Sequence, residues 1–226
     1  MIDLYIIGTP IGNLEDITLR ALRILKEVDF VLCEDTRVTR KLLDKYEIKT
    51  PTISYHSFSG QIKTDKILEL LKEGKNIALV SDAGTPTISD PGFQLVSQVK
   101  EKLGDKVMVS PIPGPSALIS ALSVSGLPAD AFTFYGILPR KKGKQTIVKE
   151  ILNSKRTSVF YESPHRIIKT LNLIKELSEN QEIKIVIARE LTKMFEQVIS
   201  GDIDKIIKYF EDNPDKIKGE FVVVVG

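Results

Sequence analysis

The sequence has one cysteine, two histidines and no tryptophan among its 226 residues. The single cysteine, Cys33, excludes an internal disulfide and fits a reducing compartment; because it lies in an apolar run, we expect a buried structural thiol. One cysteine and two histidines cannot build the usual structural zinc site, and we expect no metal ion. The motifs H-E-x-x-H, C-x-x-C and G-x-S-x-G are missing, which excludes the metalloprotease, thioredoxin-like and serine-hydrolase classes that they mark.

A strong excess of one charge is also missing. The 32 Lys and Arg residues oppose 30 Asp and Glu residues, a net charge of +2. This balance is not typical of a protein that coats nucleic acid by bulk charge, and we expect no DNA partner. No apolar run reaches the about 20 residues that cross a bilayer, and Asp3 stands where a signal peptide carries basic residues. These features predict a cytoplasmic protein with no membrane partner.

Short apolar runs alternate with segments of helical period along the chain. The strand-like runs of the first half are residues 4–7, 30–33, 77–80 and 107–109. The helical segments between them are residues 17–28, 38–46, 65–73 and 93–103. This alternation predicts a mostly parallel sheet covered by helices.

The pattern breaks at residues 111–115, where three prolines and one glycine cannot continue a strand or a helix interior. We therefore place a boundary there, between domains 1–113 and 114–226. The second half again alternates strand-like and helical segments, and the weakly alternating run 193–200 predicts a more exposed strand. The sequence thus predicts two α/β domains, the second with a mixed sheet.

Three loops that follow strand-like runs or open a helix are rich in glycine, proline and small polar residues. They are Gly8–Asn13, Ser81–Gly92 and Pro113–Ala117. Ligands of open α/β sheets bind beyond the carboxyl ends of strands. The first loop lacks both the G-x-G-x-x-G and the P-loop spacing, so a plain turn stays open for it. The twelve-residue second loop is long enough to indicate a function, and its backbone groups and carboxylates suit a polar ligand with ribose hydroxyls.

Polar clusters follow three further strand-like runs, at residues 34–37, 161–166 and 188–193. Neighbouring acids and bases often form only surface ion pairs of small value, but their place at strand ends favours a binding site. Basic patches at residues 37–41 and 140–144 are candidate RNA contacts or solvated surface loops.

Together, these segments resemble the tetrapyrrole methylase superfamily across essentially the whole chain. Within it they are similar to the small-subunit rRNA cytidine 2′-O-methyltransferases. The segments that carry the resemblance are Leu4–Asn13 (LYIIGTPIGN), Cys33–Arg37 (CEDTR), Val80–Gly92 (VSDAGTPTISDPG), Ile112–Ala117 (IPGPSA), Phe160–Arg166 (FYESPHR) and Ala188–Lys193 (ARELTK). The order, spacing and wording of six motifs agree, which makes chance similarity a poor explanation.

The resemblance implies two α/β domains with S-adenosylmethionine in the cleft between them, and a homodimer. It also implies that the methyl acceptor is the ribose 2′-hydroxyl of a cytidine in 16S rRNA, free or within the small ribosomal subunit. The residues that it assigns to the cofactor are Pro10, Ser81, Asp82, Ala83, Gly84, Thr85, Pro86, Ile88, Ser89, Ser116, Ala117, Tyr161, Ala188, Arg189 and Leu191.

A ribose hydroxyl is a poor acid, so we expect a general base near it. The candidate bases are Asp35, Asp82 and Glu162. Guanidinium and ammonium groups hold phosphates through charge-assisted hydrogen bonds. The candidate RNA contacts are Arg37, Arg40, Arg140, Lys141, Lys142 and Arg166.

The chain departs from the family pattern at two places. Members usually carry a His/Asn-rich run after the position of Tyr55 and His56, whereas residues 57–60 read Ser-Phe-Ser-Gly, which weakens the case for a catalytic role there. Many members also continue into a small C-terminal domain, whereas this chain stops at Gly226 as a short or truncated member would. Two alternatives stay open: a methyltransferase of a tetrapyrrole or corrin precursor, and a cofactor-binding module without catalysis.

Overall fold

The structure is a computed structural model that describes residues 2–90, 92–179 and 181–226. The chain divides into two compact units, Met1–Ser116 and Ala117–Gly226, each with its own five-stranded sheet. The division falls after Ser116, close to the boundary after Pro113 that the sequence predicts. Within the described ranges, no helix has the length and apolar character needed to span a membrane.

The first unit is a parallel sheet with helices on both faces. Its strands are β1 (Ile2–Ile7), β2 (Phe30–Cys33), β3 (Thr52–Ser54), β4 (Ile77–Leu79) and β5 (Val107–Ile112). Its helices are α1 (Leu19–Glu27), α2 (Thr36–Lys45), α3 (Gly60–Lys72) and α4 (Phe93–Leu103). The strand order is β3-β2-β4-β1-β5, and every pairing is parallel. All strands therefore end at one edge, where the loops that follow them gather.

Apolar side chains on both faces of this sheet explain why its strands read as continuous apolar runs. Helices α1 and α2 cover one face through a core that includes Leu25 and Leu43. Helices α3 and α4 cover the other through a core that includes Leu68 and Val99. A strand buried on both faces gains no benefit from alternation, and each such side chain contributes about 1.5–3 kcal/mol on burial. Cys33 is fully buried in the first core, as predicted.

Strand β5 includes Pro111, and the prediction that the strand-like run stops before this proline was wrong. The strand lies at the edge of the sheet and pairs only with β1, where Pro111 faces Ile6. An edge strand tolerates proline because the missing N–H can fall on the unpaired side.

The second unit is also α/β, with the mixed sheet that the sequence predicted. Its strands are β6 (Phe132–Ile137), β7 (Thr157–Glu162), β8 (Lys184–Arg189), β9 (Gln197–Asp202) and β10 (Phe221–Val225). Its helices are α5 (Ala117–Ser125), α6 (Lys144–Leu152), α7 (Ile167–Leu177) and α8 (Ile203–Asp212). In the order β6-β7-β10-β8-β9, β6 and β7 are parallel and the other pairs antiparallel. Strand β9 is an edge strand with alternating exposure, as predicted, but it begins at Gln197 rather than at Lys193.

Candidate functional site

Three loops at the carboxyl edge of the first sheet are joined through their backbones. The Gly8 amide, after β1, donates to the Ile112 carbonyl at the end of β5 (3.1 Å). Thr9 and Gly84 exchange two backbone hydrogen bonds of 2.9 and 3.0 Å, which tie the loop after β1 to the loop after β4. The hydroxyl of the buried Thr9 also donates to the Ser81 carbonyl (3.1 Å). The predicted cofactor segments of this unit thus form one connected surface.

Gly114 must be glycine for these loops to meet. A Cβ on Gly114 would lie 2.5 Å from the carbonyl oxygen of Gly8, a distance that real Cβ atoms essentially never show. The obstacle is backbone, which cannot turn aside as a flexible side chain can. Gly8 and Gly114 therefore allow direct backbone contact between the first and third loops.

The loop Ser81–Asp90 is held in one unusual shape. Thr87 and Ser89 both have left-handed backbone angles, with φ of 73° and 62°. Such residues persist only where the surroundings hold them, and they cluster at binding sites. The Ser81 hydroxyl donates back to the Ala83 carbonyl (3.2 Å) within the same loop. Ile88 remains 48% exposed, an apolar side chain presented beside the polar backbone; Pro91 of this motif lies outside the described residues.

Two of the three candidate bases lie together beside this loop. The Asp35 amide donates to Asp82 Oδ1 (3.0 Å), which fixes the Asp82 carboxylate at the end of β4. Asp35 itself caps α2 by accepting from the Arg37 amide (2.8 Å), and it pairs with the Arg37 guanidinium (2.6 Å). The hydrogen bond from that side chain is the main cause that lowers the pKa of Asp35 to about 2. The geometry therefore favours Asp82 over Asp35 as proton acceptor.

Two more carboxyl groups make this edge of the sheet acidic. Burial is the main cause that raises the pKa of Asp90 to about 6; the Ser81 hydrogen bond opposes the rise, and the charges of Glu34 and Asp82 add to it. The pKa of Glu34 is raised mainly by burial and next by Asp82. In the described ranges, no group of three such side chains is placed to hold a metal ion. A cationic organic ligand is what this negative surface suits.

The raised pKa of Asp90 predicts a pH dependence of stability. The carboxyl group holds its proton more tightly in the folded chain (pKa about 6) than at the ordinary value of 3.8, so ionisation costs folding free energy as pH rises through that window. We expect the free energy of unfolding of Asp90→Asn to rise relative to that of the parent chain as pH rises from about 4 to about 6. Above about pH 6 the difference between the two chains should stay constant. Urea unfolding at several pH values measures this. Asp44→Asn, at an exposed site on α2, is the control, and a gain independent of pH would contradict the prediction.

The third candidate base, Glu162, occupies a different environment in the second unit. Its side chain is fully buried. Arg166 contacts Oε1 (2.7 Å), and the Ser163 amide donates to the same oxygen (2.9 Å). The Thr170 hydroxyl donates to Oε2 (2.6 Å), with Lys144 Nζ 3.4 Å away. Both oxygens are engaged inside the protein, so this geometry favours a structural role for Glu162.

The Glu162 cluster (Glu162, Arg166, Thr170 and Lys144) holds both ends of the basic loop. Arg166 Nη1 donates to the Leu138 carbonyl (3.0 Å) at the start of the loop. At its other end, Lys144 opens α6 and donates from its buried ammonium group to Thr170 (2.6 Å). Arg140, Lys141 and Lys142 between these anchors are exposed. Three of the predicted RNA contacts are thus displayed on a fixed loop, whereas Arg166 is used in holding it.

The remaining predicted residues of the second unit lie near the end of β8. Arg189 is buried and donates to the Lys218 carbonyl (2.7 Å), the Phe195 carbonyl (3.2 Å) and Gln197 (3.1 Å). These contacts favour a role in shaping the loop after β8. Ala188 and Leu191 are buried beside it, and Tyr161 packs edge-on against Phe134 with ring centroids 5.1 Å apart. Ser116 and Ala117 lie on either side of the division between the units.

Sequence reasoning missed the residues that hold the site together. Thr9 and Lys144 entered the prediction only as members of the loop Gly8–Asn13 and of the basic patch 140–144, and Thr170 was not singled out. Each makes buried hydrogen bonds to a predicted site segment, and the sequence carries no signal that separates them from their neighbours. Arg37 and Arg40 are exposed on α2, as residues that contact phosphates must be.

The surface of the first unit fits S-adenosylmethionine by the chemistry of its groups. The ligand is cationic at its sulfonium and ammonium groups, and the Asp35, Asp82, Glu34 and Asp90 carboxyl groups supply the opposite charge. Its ribose and amino-acid portions need hydrogen bonds, which the backbone of Ser81–Ser89 can supply. Its adenine needs an apolar contact such as Ile88.

Comparisons with known proteins identify the family. The model of the tetrapyrrole (corrin/porphyrin) methylases matches residues 3–207. A relative from Thermotoga maritima named ribosomal RNA small subunit methyltransferase I is 47% identical over 223 residues, 99% of this chain and 97% of the relative. A relative of the same name from Bacillus subtilis is 47% identical over 98% of this chain and 74% of the relative.

Solved structures of two other methyltransferases share the fold. A cobalt precorrin-4 methyltransferase of cobalamin biosynthesis has a TM-score of 0.70 at 17% identity, over 99% of this chain and 94% of that chain. A uroporphyrin-III C-methyltransferase from Thermus thermophilus has a TM-score of 0.62 at 21% identity, with the same two coverages. At such identity the likeness concerns the fold alone. The chain therefore belongs to the tetrapyrrole (corrin/porphyrin) methylase family and is an S-adenosylmethionine-dependent methyltransferase, as its motifs predicted.

Proposed function

We propose that this chain methylates the ribose 2′-hydroxyl of a cytidine in 16S rRNA. The observation that carries the proposal is the identity of 47% with rRNA small subunit methyltransferase I of Thermotoga maritima, which extends over 97% of that relative. The structure supports it with an exposed basic loop, Arg140–Lys142, whose charges suit the phosphates of RNA. A second basic stretch, Arg37–Arg40, follows the acidic edge of the first sheet.

The acidic edge of the first unit supplies binding and proton acceptance. S-adenosylmethionine, when bound, supplies a methyl group on a sulfonium whose positive charge is lost on transfer. Two backbone hydrogen bonds between Thr9 and Gly84 fix the shape of these loops, and a fixed shape reduces the ordering that binding requires. Asp82 lies at this edge with one oxygen fixed by the Asp35 amide, and its other oxygen can accept the proton of the ribose hydroxyl.

Exposed basic side chains bind the phosphates of the rRNA in this proposal. RNA recognition of this kind relies on shape, phosphates and an unstacked base rather than on reading a groove. The loop Arg140–Lys142 is anchored at Leu138 and Lys144, so its charges are presented with little loss of freedom on binding. Arg37 is 87% exposed in its side chain and pairs only at the surface with Asp35, so that pair is easily exchanged for a phosphate.

Transfer of labelled methyl from S-adenosylmethionine to small ribosomal subunits that lack the modification tests the proposal. Nuclease mapping should place the label on the ribose of a cytidine. Replacing Arg140, Lys141 and Lys142 by glutamate should raise the KM for subunits at least about tenfold and reduce its salt dependence, with unchanged affinity for the cofactor. The matched control replaces Lys63, Lys66 and Lys72 on α3 by glutamate as well. Label on a tetrapyrrole but on no ribosomal substrate would overturn the proposal.

We also propose that the protein is a cytoplasmic homodimer. Met194 and Phe195, in the loop after β8, are 91% and 64% exposed, and apolar side chains of this size support an interface. A dimer mass in sedimentation equilibrium supports this proposal, and a monomer at micromolar concentration contradicts it.

A further inference from the structure

A small cavity lies in the first unit, beside the carboxylates. Its volume is about 230 Å³, and its walls include His56, Asp90, Gly92, Phe93 and Gln94. Pockets for drug-sized ligands run from about 300 to 1,000 Å³, so this one suits a single small ring. The walls come from the segment after β3, from the end of the loop after β4 and from the first turn of α4. Asp90 also belongs to the acidic edge of the first sheet.

The aromatic ring of Phe93 lines this cavity and is exposed to solvent. Phe93 is 70% exposed, and Phe58, in the segment that forms the opposite wall, is 93% exposed. Exposed aromatic side chains beside a cavity mark a surface that binds a ligand or partner. Aromatic side chains stack on unpaired bases, and removing one such ring weakens binding about tenfold.

The polar groups of the cavity match the edge of cytosine. That edge has one amino donor beside a ring-nitrogen acceptor and a carbonyl acceptor. The Asp90 carboxylate can accept from the amino group. The α4 amides at Phe93 and Gln94 border the cavity, and no side chain caps that helix. His56 Nδ1 accepts from the Phe58 amide (3.2 Å), so the neutral ring carries its proton on Nε2 and adds a donor.

The cavity also adjoins the predicted site of reaction. Asp90 lines the cavity and belongs to the same loop after β4 as Asp82, whose charge contributes to the raised pKa of Asp90. A base seated in the cavity would therefore bring its own ribose toward Asp82. Uracil differs at this edge because it presents a carbonyl oxygen in place of the amino group, and that oxygen would face the Asp90 carboxylate.

We propose that this cavity receives the cytosine base of the target nucleotide, with Asp90 accepting from its amino group and Phe93 stacking on its ring. The proposal rests on the proposed function, since it names how that site selects its nucleotide. Asp90 and Phe93 are therefore specificity-determining residues, one for base identity and one for base affinity.

Small subunits reconstituted on 16S rRNA with cytidine or with uridine at the methylated position test this. The parent chain should methylate the cytidine substrate at least about tenfold faster at limiting substrate. In Asp90→Asn the cytidine rate should fall and the uridine rate rise, so that the ratio approaches one, because the amide can donate as well as accept. Phe93→Ala should slow both substrates about tenfold and keep the ratio.

Rates are compared at saturating S-adenosylmethionine, because Asp90 also contributes charge to the cofactor surface. Cooperative urea unfolding of each variant controls for folding, and the matched variant Asp44→Asn should keep the parent ratio. An unchanged cytidine-to-uridine ratio in a folded Asp90→Asn would overturn the cavity assignment and leave the proposed function standing. A parent chain that methylates neither substrate, though it binds the cofactor, would overturn both. If Phe93→Ala lowers the cytidine-to-uridine ratio as Asp90→Asn does, the loss of selectivity reflects general distortion of the cavity and not a base-specific role of Asp90. That result would also count against the assignment.

Discussion

Glu162→Ala is expected to destabilise the second unit by about 3–5 kcal/mol, the usual cost of removing one partner from a buried ion pair. The variant leaves the Lys144 ammonium group, whose side chain is 10% exposed, without its carboxylate, and it frees the Arg166 guanidinium from its 2.7 Å contact. When a buried charge has no partner, no attraction offsets the free energy of its desolvation. Urea unfolding measures the loss, with hydrogen exchange of β7 and β10 amides to locate it in this unit.

The double variant Glu162→Leu, Lys144→Met should recover at least half of that loss. It removes both charges from the interior and replaces them with apolar side chains of similar length, and such exchanges are often neutral or stabilising. Arg166, which is 21% exposed in its side chain, can turn toward solvent. Glu176→Ala, at an exposed position on α7, should cost less than about 0.5 kcal/mol. Equal losses of unfolding free energy in Glu162→Ala and Glu176→Ala would show that the buried cluster stabilises the unit no more than an exposed glutamate does.

The same variant should loosen the basic loop. Arg166 and Lys144 anchor its ends at Leu138 and Thr170, and both lose their common partner when Glu162 is removed. Cleavage by trypsin within Arg140–Lys142 should therefore become faster in Glu162→Ala than in the parent chain.

Elements with strong apolar periods were predictable from the sequence. Helix α4 and strand β2 begin and end at the predicted residues, because their apolar positions are bounded by polar or turn residues. The short edge strand β3 was missed: its three residues pair only with β2 and are only partly buried. Helix α3 begins at Gly60, five residues before the prediction, since Gly60–Thr64 carries little apolar period.

The positions of the site segments were also predictable, because parallel strands place their following loops at one edge. The state of each side chain was not. Asp35 and Glu162 both looked like available carboxylates, yet Asp35 pairs with its near neighbour Arg37. Glu162 pairs with Arg166, four residues on, and also contacts Lys144 across the fold. Sequence spacing predicts the pairs with Arg37 and Arg166 and has no access to the Lys144 contact, since Lys144 and Glu162 belong to different elements that only tertiary packing brings together.

Asp82→Asn is expected to lower the rate of methyl transfer about 10²–10⁴-fold, the range that a positioned general base supplies. The amide keeps the shape of the side chain and can still accept from the Asp35 amide, so the loop after β4 should keep its position. What the variant loses is the ability to take the proton of the ribose hydroxyl. Single-turnover transfer to small subunits measures the rate, and calorimetric titration with S-adenosylmethionine should give an affinity within about threefold of the parent chain.

Asp35→Asn is the matched comparison and should cost less than about tenfold in rate. Asparagine caps a helix as well as aspartate does, so α2 should stay intact while the charge is lost. The pKa of about 2 that Arg37 imposes makes Asp35 a weak proton acceptor, and the charge of a weak acceptor contributes little to proton transfer. A larger loss in Asp35→Asn than in Asp82→Asn would transfer the role of base to Asp35. Loss of cofactor affinity in Asp82→Asn, with the remaining bound fraction reacting at the parent rate, would make Asp82 a cofactor ligand instead.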